Sequence, residues 1–143
     1  MKKSFRLAVG MAMLAAVTLC GCKSMCGASD EDQIRAVVDK WVATIPEQDV
    51  DALMVLYSED FEHWEYGDKE GFAEFIEEAI SMGYMDDAET DVEDMEIQID
   101  EENDTATVYP IDLTAAFGMA TIQLILEEED GEWKITGMEI EQY

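Results

Sequence analysis

Apolar residues recur at helical spacing through Ile34, Val37, Val38, Trp41, Val42 and Ile45, one continuous stripe that reads as an amphipathic helix. Ser29, with Asp32 three residues on, supplies its start, and Pro46 closes it. A second helix is expected from near Asp49 to Tyr57, burying Leu53, Leu56 and Tyr57. A third follows Asp68, with Phe72, Phe75, Ile76, Ala79 and Ile80 on one side and Glu74, Glu77 and Glu78 on the other, before Gly83 ends it.

Beyond Gly83 the period changes from about 3.6 to 2, the mark of strands. Met95, Ile97 and Ile99 alternate with Glu96, Gln98 and Asp100. A strand from Thr105 to about Thr114 follows, then a turn at Gly118 and a strand holding Ala120, Ile122, Leu124 and Leu126. Asp130-Gly131 marks a hairpin turn into Trp133 and Ile135, and Gly137 marks a bulge, because Met138 and Ile140 continue the apolar series with shifted parity. A short extra strand is expected around Phe61 to Tyr66. The expected class is α+β: three N-terminal helices packed on a curved antiparallel sheet of four to six strands.

The N-terminus follows a different logic. Lys2, Lys3 and Arg6 precede an apolar run from Leu7 to Leu19, too short to span a bilayer permanently and built like an export signal. Leu19-Cys20-Gly21-Cys22 resembles the lipobox of bacterial lipoproteins, with the small residue Gly21 before Cys22. Cys20 fits poorly, since bulky Leu19 would occupy the small-residue position. The resemblance implies cleavage after residue 21 and diacylation of Cys22, two chains being what stable anchoring requires. Residues 1–21 are then a signal peptide, residues 22–29 a lipidated tether and residues 30–143 the folded domain. Lys23, where an aspartate would mark inner-membrane retention, implies a place in the cell envelope and on the outer membrane if the cell has one. Cys26 is left in the tether, and the folded domain carries no cysteine, so it is held by its core and not by disulfides.

Charge narrows the partners. All 35 acidic residues lie at or after Asp30, against five basic ones beyond residue 21, leaving −30 on the mature chain. Such a field repels phosphates, which disfavours nucleic acid, and it suits cationic proteins or simple solvation. Asp100, Glu102 and Asp104 begin like a calcium loop, yet Thr105 stands where the turn glycine belongs and Ile111 where the bidentate glutamate belongs. His63 is the lone histidine, so no metal site is expected. No phosphate-binding glycine loop and no serine or cysteine nucleophile signature is present, and no cofactor is expected.

The order of elements resembles the nuclear transport factor two-like superfamily, also called SnoaL-like or cystatin-like. The matching strings are Asp49-Val50-Asp51-Ala52-Leu53, Leu56-Tyr57-Ser58-Glu59-Asp60-Phe61 and Glu129-Asp130-Gly131-Glu132-Trp133-Lys134-Ile135. This resemblance covers the mature domain and implies a cone-shaped roll with a pocket at its wide end and, in many members, dimerisation through the sheet. Ketosteroid isomerases of this superfamily use a carboxylate base with a tyrosine and a protonated aspartate as donors. Gapless alignment around Asp49 and Tyr57 puts Glu65 at the base, Trp41 at the tyrosine and Leu124 or Ile125 at the aspartate, so only the base keeps a suitable group. Asp112 sits one strand too early.

The best catalytic candidates are Glu65 and His63, which share a face if the segment alternates as a strand. Its bland counterpart is a histidine solvated in an acidic exposed segment. Trp41, Tyr57, Trp64, Tyr66 and Tyr109 are the candidate pocket residues, with Met54, Met82, Met85 and Met119 able to give a compliant pocket or dimer face. The expected function is non-catalytic binding of a small apolar molecule or a protein partner. The alternatives are an isomerase, dehydratase or cyclase, and a structural envelope protein that associates through its sheet. A pocket with two or more converging polar groups would favour the enzyme, and a filled pocket with an exposed apolar sheet face would favour association. Replacing Cys22→Ser should abolish incorporation of labelled palmitate, and labelling as strong as in the wild type would refute acylation there.

Overall fold

The computed structural model describes residues 27–143, and the expectations for the signal segment, Cys22 and Cys26 fall outside them. Helix α1 spans Asp30–Thr44, and the Ser29 hydroxyl accepts from the Asp32 N–H at 3.2 Å. Three acids in its first turn suit the positive end of the helix dipole. Its buried face is Ile34, Val38 and Trp41. No helix among the described residues is long and apolar enough to cross a membrane.

Helix α2, Val50–Met54, is capped by the Asp49 carboxylate, which accepts from the Ala52 N–H at 3.0 Å. It stops short of Tyr57, where the apolar spacing put its end. The cause is long-range: the Ile135 N–H donates to the Leu56 carbonyl at 2.9 Å and the Ser58 N–H donates to the Ile135 carbonyl at 2.8 Å. Sheet pairing thus takes the groups a further helical turn would have used.

Strands β1 (Glu62–His63) and β2 (Gly67–Asp68) form a small antiparallel hairpin in place of the one strand expected there. Helix α3, Lys69–Ser81, starts at Asp68, whose carboxylate accepts from the Gly71 N–H at 3.0 Å. Gly83, at φ 75°, then turns the chain.

The main sheet comprises β3 (Glu89–Asp91), β4 (Glu96–Asp100), β5 (Thr105–Ala115), β6 (Gly118–Glu129) and β7 (Glu132–Gln142). Its order is β3-β5-β6-β7, all antiparallel, with β4 beside β3 along the same edge of β5. Strand β3 carries too little apolar alternation to be seen in the sequence.

Two bulges bend this sheet. In β5, Tyr109 and Pro110 together oppose Gln123, where proline has no N–H to give the ladder. In β7 the register slips around Thr136, between the Ile125–Gly137 and Leu126–Ile135 pairs, which is the irregularity Gly137 announced. Asp130 and Gly131, both at positive φ, make the tight turn between β6 and β7.

The inner face of the sheet, including Val108, Ile111, Leu124, Leu126 and Ile135, packs on Ile34, Val38, Trp41 and Phe72. Helices thus cover one face, as the α+β reading expects. Gly71 is an informative position, because a Cβ there would lie 2.4 Å from the Tyr66 carbonyl oxygen. Helix propensity alone favours Gly71→Ala by about 1 kcal/mol. We expect the opposite, a loss of about 1–3 kcal/mol in denaturant unfolding, because overpacking outweighs propensity.

Candidate functional site

A cavity of about 480 Å³ lies between the C-terminal half of α1, α3 and the part of the sheet nearest the β5–β6 turn. Trp41 comes from α1 and Ile45 from its C-terminal cap, Phe72, Phe75, Ile76 and Ala79 from α3, and Leu113, Ala120, Ile122, Met138 and Ile140 from the sheet. Tyr84, Ala116 and Gln142 are lining residues that also face solvent, so the cavity opens between them. No lining residue is charged. In a chain with 35 acidic residues this is a strong partition: the carboxylates stand in water, where ionisation costs least, and the cavity is left apolar.

The lining residues with polar side-chain atoms are Trp41, Tyr57, Tyr66, Tyr84 and Gln142. Tyr57 is 2% exposed, and its hydroxyl accepts a hydrogen bond from Trp41 Nε1 at 3.0 Å. Burial pushes the Tyr57 phenol far above its usual range, the Trp41 bond opposing only in part, so the hydroxyl keeps its proton. Its ring is held by Phe61 at 5.0 Å, edge on, and by Phe72 at 5.5 Å. Tyr66 stacks on Phe75 at 3.7 Å and 13°. Burial raises the Tyr66 phenol, and the charge and hydrogen bond of Glu65 add to this.

Of the five aromatic candidates, Trp41, Tyr57 and Tyr66 line this cavity. Trp64 is 86% exposed at the tip of the β1–β2 hairpin, and Tyr109 is 44% exposed at the β5 bulge. Among the four methionines, Met85 lines the cavity. Ala116, Phe117, Ala120, Met138 and Gln142 also line it; the strand pattern marked Ala120 and Met138 as apolar positions, and nothing in the sequence marked any of the five as pocket residues. Strand alternation shows which residues are buried, but not which stretch of a bent sheet faces a void.

His63 and Glu65 lie outside the cavity. They line a neighbouring depression of about 220 Å³ with Trp64, Tyr66, Ile140 and Gln142, the last three also lining the cavity. His63 is not solvated but 6% exposed, and its Nδ1 accepts from the Glu65 N–H at 3.1 Å and the Tyr66 N–H at 3.3 Å. Burial lowers the imidazole, and the Glu65 carboxylate opposes this. Glu65 is exposed and stands in the hairpin turn rather than on a strand.

The gapless alignment therefore has its outcome reversed. The base position, Glu65, is outside the cavity, and a donor that the alignment did not supply, the Tyr57 hydroxyl, is inside. Asp112 is exposed on the outer face, where it accepts from the Thr121 hydroxyl at 2.7 Å. Among the described residues no group of three or more His, Cys, Asp or Glu side chains converges as a metal would require.

Comparison with known proteins agrees with this architecture. Residues 34–140 match the SnoaL-like domain, and the chain belongs to that family. Among solved structures it resembles a protein of unknown function with a cystatin-like fold from Nostoc punctiforme, with a TM-score of 0.66 and 15% identity over 82% of this chain and 93% of that one. A nuclear transport factor two-like protein from Novosphingobium aromaticivorans gives 0.65 and 16% identity over 79% and 81%. A Bdellovibrio bacteriovorus protein gives 0.65 and 13% over 78% of this chain and 40% of that one. At these identities the likeness is one of fold. No curated protein matches the chain.

The Trp41–Tyr57 pair is open to direct measurement. Tyr57→Phe leaves the buried indole N–H without its acceptor and should cost about 1–3 kcal/mol in unfolding experiments. A double-mutant cycle with Trp41→Phe should return a coupling of about 0.5–1.5 kcal/mol.

Proposed function

We propose that this chain is an exported lipoprotein, acylated at Cys22, whose SnoaL-like domain binds a small, neutral, mainly apolar molecule without transforming it. The supporting observation is the uncharged cavity of about 480 Å³, within the size range of small-molecule sites, inside an otherwise intensely acidic domain. An anionic ligand would lose its hydration in an apolar space and meet the field of the surrounding carboxylates. A neutral one meets neither penalty. Tyr57 accepts from Trp41 and retains its own proton, which offers such a ligand one fixed donor.

Binding is favoured over the isomerase, dehydratase or cyclase reading because no carboxylate, histidine or lysine lines the cavity to move a proton. It is favoured over association through the sheet because the packed side chains leave the cavity open at Tyr84, Ala116 and Gln142.

Titration with a matched set tests this reading: 2-acetylnaphthalene and 2-ethylnaphthalene should bind, 2-naphthoate should bind at least about tenfold more weakly, and Ala120→Phe, which fills the cavity, should abolish binding. Tighter binding of the carboxylate, or unchanged binding by the Ala120→Phe chain, would refute it.

A further inference from the structure

The β1–β2 hairpin forms part of the cavity wall through Tyr66, and beyond its short ladder its turn is bound by one side chain. His63 Nδ1 accepts from two consecutive backbone N–H groups, those of Glu65 and Tyr66, which define the turn. An Nδ1 that accepts twice carries no proton, so the neutral ring is protonated at Nε2. The ring stacks against aromatic neighbours, its centroid 4.7 Å from Tyr66, 5.9 Å from Trp64 and 6.1 Å from Phe72, within 28° of parallel to each. Tyr66 in turn reaches the cavity and stacks on Phe75 of α3.

We propose that the Trp64–Tyr66 turn is an acid-released flap on the cavity: protonation at His63 Nδ1 turns an acceptor into a donor, sets it against two backbone N–H groups and frees Tyr66 from Phe75. This inference rests on the cavity holding a ligand and names how that ligand is let go. Three N–H groups around one point with no acceptor between them repel one another, so the charged ring favours the open turn.

The groups around the imidazole set the direction of the effect. Glu65, on the same turn, is the charged group that acts on the ring, and it favours the protonated form. The Tyr66 hydroxyl is the other titratable group against it. From β2 come Gly67, opposite in the ladder, and Asp68, whose carboxylate is held by the Gly71 N–H. Helix α3 contributes Phe72, and β7 contributes the neutral Ile140 and Gln142. Burial outweighs Glu65, so the imidazole sits below its usual 6.5 in the closed turn and returns towards it when the turn opens. The closed turn is therefore fully favoured above that usual value. As pH falls below it, opening gains up to about tenfold per unit until the lowered value is passed.

The experiment uses the full chain at pH 7.5 and 5.5. His63 is the lone histidine, which makes its ring nitrogen resonances unambiguous. At pH 7.5 they should show the proton on Nε2. Between the two pH values the exchange protection factors of the Glu65 and Tyr66 amides should drop several-fold to about tenfold, and the dissociation rate of 2-acetylnaphthalene should rise with them. His63→Asn retains an oxygen near the Nδ1 position that accepts without titrating, and should flatten both pH dependences. His63→Phe keeps the stacking but removes the acceptor, and should loosen the turn at both pH values. A proton on Nδ1 at pH 7.5, an unchanged protection factor in the wild type, or the same pH slope in His63→Asn would overturn the proposal. Failure of the naphthalene probe to bind at either pH would refute the ligand reading and the release it serves, while the amide protection still decides whether the turn titrates.

Discussion

The structure depends on one short piece of main-chain pairing between its helical and sheet halves. Ile135 of β7 donates to Leu56 and accepts from Ser58, so the chain leaving α2 is bound as a parallel bridge to the edge strand of the sheet. Neighbouring contacts reinforce it: Lys134 Nζ donates to the Val55 carbonyl at 2.9 Å, and the Ser58 hydroxyl is bound to Glu129. Because the bridge fixes the backbone at Tyr57, it fixes the phenol as well, and Trp41 of α1 then finds its acceptor. A helix continued to Tyr57 would rotate that ring by about 100° per residue and lose both the bond and the cavity wall.

Charge is sorted as thoroughly as shape. The acids cap helices where a carboxylate can accept from free N–H groups, as Asp49 and Asp68 do, or they stand in solvent. Few cations are available to pair them. Lys69 meets Glu59 and Lys134 meets Glu132, at partly exposed sites where ion pairs contribute little. The domain is therefore held by its apolar core, and the surface charge bears on solubility and on what approaches. A neutral molecule is the natural guest of an apolar cavity within such a shell.

The hairpin containing His63 shows how position alters chemistry. In an extended, acidic, aromatic-rich segment a histidine reads as a solvated base with a carboxylate neighbour. Folded, the imidazole is an acceptor for the backbone of its own turn, and its carboxylate neighbour serves the Tyr66 hydroxyl instead. Acid–base character has been turned inward, towards structure.

What the sequence determined by itself is what short-range physics encodes. The α1 stripe from Ile34 to Ile45, the Asp49 and Asp68 caps, the Asp130-Gly131 turn and the parity change at Gly137 each depend on residues within a few positions of one another, so they were legible and with them the family. Tertiary structure decided the rest: where α2 ends, since Ile135 lies 79 positions beyond Leu56; that β3 pairs at all, since its ladder is supplied by β5; and which aromatic residues meet in the cavity, since Trp41 and Tyr66 come together there while Trp64 and Tyr109 face away. Periodicity reports that a side chain is buried, whereas a cavity is the space that packed elements fail to fill, and that space exists only once the sheet has bent around the helices.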